Sequence, residues 1–325
     1  PTQKPWQIIG YDRYLDAPQF EQASSFLESA PKTPFFLSVG FSETHREYPP
    51  LDKAPADPRY CLPPAPIPDT PVTRQDMARF KASARELDRK MGCVFDALDR
   101  SSLAENTLVI CTTDHGIAFP RMKCNLHDSG IGVMLIMRGP GGFTGGKVID
   151  SMTSHLDFFP TVCDLLGIEP PPWLRGKSLI PLVRAEVQTL HDELFFEVNY
   201  HAAYEPMRAV RTSRWKYIKR FDGRATPVLA NCDDGESKSV WLDHGWRERA
   251  IPEESLFDLV FDPNETHNLV RDTAHRAVLK DMRNRLKQWM KKTHDPLLSG
   301  PVPLPHGAIV NDTNSISPKD KPKTC

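Results

Sequence analysis

The sequence has 325 residues, with 41 Lys and Arg balanced against 42 Asp and Glu for a formal net charge of −1. That balance excludes the electrostatic footprint of a nucleic-acid binder or an anionic-membrane binder, and no apolar run is long enough to span a bilayer. The length permits a substantial core in one large domain or two smaller ones. The opening residues, PTQKPWQIIGYDRYL, carry no initiator Met and no basic-then-apolar leader, and they read as mid-protein sequence. The seven cysteines (61, 93, 111, 124, 163, 232 and 325) are scattered, odd in number and without a CxxC pair, which argues against a disulfide framework. Cys111 and Cys163 sit in apolar segments, where a thiol behaves as a small hydrophobe. Two Asn-x-Thr triplets, at Asn264 and Asn311, are weak signals and leave the compartment open.

In chain order, Pro34 to Phe41 (PFFLSVGF) is an almost continuous apolar run, the pattern of a strand covered on both faces. The polar loop Ser42-Glu43-Thr44-His45-Arg46 follows. Prolines crowd residues 49 to 71, so an irregular loop without a ladder is expected there. Thr70-Pro71 has the form of an N-cap with Pro in the first turn. Behind it Met77, Phe80, Ala84, Leu87, Met91, Val94 and Leu98 recur at spacings of three and four, which predicts a long amphipathic helix. A strand at 108–113, a loop, a strand at 133–137 and a helix at 156–166 closed by Gly167 come next. This alternation predicts an α/β domain over 1–188, with a mostly parallel sheet flanked by helices.

Beyond residue 190 the pattern changes. Short strands at 193–198, 207–212 and 215–219 with tight connections predict an antiparallel sheet. A polar segment over 222–252 intervenes. A last helix near 274–292 carries Val278, Met282, Leu286 and Trp289 or Met290 on one face, completing an α+β subdomain over 189–295. The tail, 296–325, is rich in Pro, Lys, Asp and Ser and is expected to be unfolded or draped on the surface. No internal repeat is visible.

The chemistry concentrates in Leu108–Lys123, LVICTTDHGIAFPRMK. A buried strand ends there by delivering Asp114 and His115, and the C-terminal ends of such strands are where α/β sites form. A carboxylate beside an imidazole suits a divalent metal; the plainer alternative is a capping Asp beside an ordinary His. Oxygen donation favours Ca²⁺ or Mg²⁺, and the imidazole tolerates Mn²⁺ or Zn²⁺ better, so the ion stays open. Lys123, nine residues after Asp114, is placed to pin an anionic oxygen, against the default of a solvated lysine. His45, ending the 35–41 strand, is either an anion-contacting or proton-transferring group or a loop histidine bonded to backbone. Together these residues propose hydrolysis of a charged ester.

PFFLSVGFSETHRE, the PPAPIPDTPVTRQDMARFKASARELDRKMGCVFDALD block, LVICTTDHGIAFP, DFFPTVCDLLGI and LFDLVFDPNETHNL resemble, in order, the later motifs of formylglycine-dependent sulfatases of the alkaline phosphatase superfamily. Within that family the chain is most similar to the sulfamidase (heparan N-sulfatase) branch, through THR, DHGIAFP with a basic residue beyond it, YEPMRAVRT and KKTHDP. The resemblance implies that Asp114 and His115 are metal ligands, His115 standing where many relatives carry Asn. It implies that Lys123 binds sulfate where the sulfamidase pattern has Arg, and that His45 contacts sulfate and leaving group. His201 would face the substrate from the second subdomain, a structural loop His being the alternative, while Arg208 braces the sheet. The implied metal is Ca²⁺, with Mg²⁺ or Mn²⁺ as alternatives. The implied partner is a sulfated saccharide or other sulfate ester, N-sulfoglucosamine-like substrates being favoured. A periplasmic, secreted or lysosome-like location follows from the family, with the cytoplasm still open.

The family opens with a strand ending in paired aspartates and then a Cys- or Ser-x-Pro-x-Arg motif whose first residue becomes formylglycine. Neither stands in this sequence. Cys61-Leu62-Pro63-Pro64-Ala65 imitates three positions of the motif, lacks its arginine and follows His45 instead of preceding it. The expectation is therefore a C-terminal part of a sulfatase, with no nucleophile in this chain and no activity alone. A homodimer or association with the missing N-terminal half are the oligomeric options. Two other readings remain: a phosphodiesterase or phosphonate hydrolase of the same superfamily, and a non-catalytic sulfated-glycan binder.

Overall fold

A computed structural model describes residues 7–9, 19–50, 52 and 56–324, so most of the opening segment and Cys325 lie outside the described residues. The chain forms two compact units: residues 1–63, 68–111 and 136–144 make the first, and 64–67, 112–135 and 145–325 the second.

In the first unit β1 (Gln7–Ile9) pairs in parallel with β2 (Leu37–Val39), while α1 (Gln19–Glu28) and α2 (Pro71–Arg100) pack together. The cap on α2 is reciprocal: Thr73 N–H donates to Thr70 Oγ1 at 3.2 Å, and Thr70 N–H donates to Thr73 Oγ1 at 3.0 Å. Two otherwise orphaned donors are thereby satisfied where Pro71 starts the helix. Leu27 of α1 and Ala97 and Leu98 of α2 form a buried cluster, with Phe35, Leu37 and Val109 against it. The middle of the expected apolar stripe, Phe80 through Val94, is only half buried. β3 (Val109–Thr112) pairs with β4 (Leu135–Arg138). These strands are shorter than the apolar runs that announce them, and Phe36 and Ile136 are exposed, so among the described residues the α/β part shows two separate ribbons.

The second unit is built on a four-stranded antiparallel sheet in the order β5 (Glu193–Tyr200), β6 (Tyr204–Thr212), β7 (Trp215–Arg220) and β8 (Glu254–Asp258). Its register aligns Val210 with Tyr217 and Tyr217 with Leu256. That row packs on Leu279, Met282, Leu286 and Met290 of the helix Arg276–Lys292. The opposite face, with Ala209, Ile218 and Phe257, buries Leu126, three residues beyond Lys123. Both faces of this sheet are therefore covered. Burying each large apolar side chain contributes roughly 1.5–3 kcal/mol, so Leu126 anchors the site segment to the sheet.

Arg208, fully buried in β6, donates to Asp295 through Nε at 2.6 Å and Nη2 at 3.1 Å, bracing the sheet against the end of the last helix. The tail is draped and fastened: Tyr200 Oη donates to Val302 O at 2.7 Å, and Asn311 N–H donates to Ala202 O at 2.7 Å. Asn311 Nδ2 is itself engaged with Asp320 O at 2.9 Å, whereas Asn264 is exposed. Among the described residues no disulfide joins the six cysteines, and no helix is long and apolar enough to cross a membrane.

Candidate functional site

The Asp114 turn depends on its glycine. Gly116 N–H donates to Gly130 O at 2.8 Å, and a Cβ on Gly116 would lie 1.9 Å from Ser129 O, so only glycine allows this approach. Asp114 Oδ1 accepts the His115 N–H at 3.0 Å. His115 Nδ1 lies 2.6 Å from Gly116 O, which makes Nδ1 the protonated nitrogen and leaves the Nε2 lone pair for another contact. Nε2 stands 3.4 Å from Asp114 Oδ2, and the two side chains are 36% and 85% exposed. An oxygen and a nitrogen donor side by side fit part of a divalent-cation shell. Among the described residues no group of three or more candidate ligands occurs.

Lys123 sits in the opposite setting. Lys123 N–H and Phe119 N–H both donate to Ile117 O, at 3.1 and 2.9 Å, winding the segment into a compact turn that buries Phe119 and Met122. Lys123 Nζ donates to Asp233 Oδ2 at 2.9 Å, with the two side chains 5% and 12% exposed. Cys124, next in sequence, has its thiol pushed up to about 12 by burial, which keeps it protonated and inert.

His201 occupies the exposed β5–β6 turn, where its N–H donates to Ala203 O at 3.3 Å. The same turn is bolted to the Asp233 segment. Asn231 Oδ1 accepts from Ala203 N–H at 2.8 Å, and Asn231 Nδ2 donates to Ala203 O at 3.2 Å and Glu205 Oε2 at 2.8 Å. Within the second unit, residues 231–233 thus link Lys123 to the His201 turn.

His45 belongs to the first unit and is exposed, its Nδ1 2.5 Å from Arg46 O. Its loop is rigidly mounted. Arg46 makes a bidentate pair with the buried Asp76 of α2 at 2.8 Å on each arm, and Glu43 pairs with Lys90. Cys61 is buried in the proline-rich loop, with no arginine following in the motif position.

Behind the turn, Lys216 is buried between Asp128 and Glu265, 3.0 Å from Glu265 Oε1, and Arg211 grips Asp128. Burial raises the Glu265 carboxyl above its ordinary range and pushes neighbouring His127 down to about 3. Sequence reasoning missed Asp76, Asp233 and this cluster. The run Asn231-Cys232-Asp233-Asp234-Gly235-Glu236-Ser237-Lys238 was the available signal for Asp233, but it stood inside a segment read only as polar.

Comparison with known proteins bears on the family and the fold. The sulfatase family model matches residues 1–168, and the model of the N-sulphoglucosamine sulphohydrolase C-terminal region matches 116–245. The chain is 28% identical to human N-sulphoglucosamine sulphohydrolase, over 85% of this chain and 64% of that protein. It is 26% identical to an ulvan-active sulfatase of Formosa agariphila, over 78% of this chain and 44% of that protein. The chain thus spans less than two thirds of each of these curated relatives. A Bacteroides thetaiotaomicron structure described as a candidate sulfatase superposes with a TM-score of 0.66 at 22% identity, covering 96% of this chain and 74% of that one, which establishes the expected alkaline phosphatase-like α/β fold. With a family model covering more than half its residues and that fold beneath it, the chain belongs to the sulfatase family.

Proposed function

We propose that this chain supplies the anion-holding and part of the metal-holding machinery of a sulfatase acting on sulfated saccharides, with N-sulfoglucosamine-like groups favoured. The observation that carries the reading is Lys123: a lysine kept almost wholly out of solvent on a DHG-bearing turn, in the stretch shared with the N-sulphoglucosamine sulphohydrolase C-terminal region. Buried lysines are rare, and a fixed ammonium in a dry setting is how a site holds a sulfate oxygen. Asp114 Oδ2 and His115 Nε2 would hold the divalent metal, Ca²⁺ before Mg²⁺ or Mn²⁺, which when bound polarises a sulfate oxygen. His45, with Nδ1–H directed to backbone, would in its imidazolium form give the Nε2 proton to the leaving oxygen or nitrogen.

The nucleophile is the missing role. No Cys- or Ser-x-Pro-x-Arg motif stands in the 325 residues, so formylglycine, which would supply attack on sulfur, comes from outside them. The test is a pair of measurements on the purified chain. Inorganic sulfate titrated by calorimetry should bind and lose affinity on Lys123→Ala, while a chromogenic aryl sulfate should not turn over. Absence of sulfate binding overturns the Lys123 reading. Turnover that disappears in Lys123→Ala overturns the need for an outside nucleophile, and preference for phosphate over sulfate favours phosphoryl chemistry instead.

A further inference from the structure

Asp233 has no role in the site as assembled so far, yet it accepts from Lys123, 110 residues away in sequence. Its segment is gripped from both sides. On one side Asn231 makes three hydrogen bonds, two to the backbone of Ala203 and one to Glu205. On the other, buried Lys238 donates to Cys232 O at 2.7 Å, Asp234 Oδ1 at 2.9 Å and Ile316 O at 2.6 Å. A carboxylate that merely neutralised a lysine would not need its segment fastened on both sides. Such mounting matters where a donor must stand in one direction, because a lysine stem alone has many rotamers and holds none of them strongly.

We propose that Asp233 is a positioning residue. It orients the Lys123 ammonium, and residues 231–238 form a strut that holds that ammonium in register with the His201 turn. The inference rests on the reading of Lys123 as the sulfate-binding residue. Carboxylate and ammonium stay paired, one ammonium N–H being given to Asp233 Oδ2 while sulfate is held by the same nitrogen.

The test titrates inorganic sulfate into the full 325-residue chain and into Asp233→Ala, Asp233→Asn and Asn231→Ala. Asp233→Ala should weaken sulfate binding about tenfold, the scale of one hydrogen bond to a charged group. Asp233→Asn keeps an oxygen acceptor in the same place and should bind within about threefold of the parent, a rescue that a loss of fold would not show. Asn231→Ala, which frees the strut at its hairpin end, should fall between them. Should Asp233→Ala fail to fold, the Asp233→Asn and Asn231→Ala comparison stands in its place. Parent-like or tighter binding by Asp233→Ala overturns the inference, since Asp233 would then compete for the ammonium instead of aiming it. A tenfold loss in Asp233→Asn, or parent-like binding by Asn231→Ala, overturns it equally. If the parent itself binds no sulfate, it is the Lys123 reading that fails; if the parent binds and the variants do not separate, only the positioning role does.

Discussion

Asp114 and Lys123 stand nine residues apart on one loop and live in opposite environments. Asp114 is 85% exposed, and its carboxylate faces its own neighbour His115. Lys123 is 5% exposed and paired across 110 residues, and three residues on, Leu126 packs on the sheet face that carries Ala209. The contrast teaches that pre-organisation is uneven along this loop. The proposed anion corner is built by packing and would keep its shape without a ligand, whereas the proposed metal corner presents two donors and would rely on others for a complete shell.

If the buried side of the loop is held by packing, acid should attack it first. His127, next to Leu126, is held near 3 by burial against an ordinary value of 6.5. The unfolded chain binds a proton that the native state refuses, so stability is complete above pH 6.5 and is lost as pH falls toward 3. The full window is worth roughly 5 kcal/mol at 1.36 kcal/mol per unit. Urea titrations between pH 7 and 4 should show a steeper decline for the parent than for His127→Asn; equal slopes would break the contrast.

Leu126→Ala comes next, with an expected cost of about 3 kcal/mol from lost burial and a residual cavity. Denaturation midpoints measure it, and a loss under about 1 kcal/mol would mean that the loop is not seated on the sheet. Lys123→Ala should weaken sulfate binding about thirtyfold, or roughly 2 kcal/mol, as a charged hydrogen-bonding group is removed. Asp114→Asn sharpens the other side: fold stability should change by no more than about 0.5 kcal/mol, as for an exposed position. Its sulfate affinity measured in chelator should match the parent. A large stability loss there would show that the metal corner is structural after all.

The elements that rest on local pattern were legible in the sequence. The Thr70-Pro71 cap starts α2 where the cap chemistry says, and the last helix begins at Arg276 with Met282, Leu286 and Met290 buried as their spacing requires. The strands at 193–200, 204–212 and 215–220 follow the same rule. Asp233 and Asp76 were not legible, because an ion pair leaves no trace in periodicity. Each becomes meaningful only when the fold brings up its partner, Lys123 or Arg46. The same reason hid Lys216, which alternation assigns to a strand without saying that Asp128 and Glu265 meet it. Apolar runs also overstated cover: Phe36 belongs to a run read as covered on both faces and is exposed, as is Ile136 in the 133–137 strand.

The fastened tail carries a consequence for how the molecule is made. The His201 turn borrows bonds from Val302 and Asn311, through Tyr200 and Ala202, in a sequence of 325 residues. During synthesis the β5–β6 hairpin emerges long before those residues do, and domains acquire structure from the N-terminal side as they leave the ribosome. The turn can take its Asn231 bonds first, and those to Val302 and Asn311 only once these residues have been translated. Those two bonds are timed by the synthesis of residues 302–311, not by the folding of the sheet to which the turn belongs.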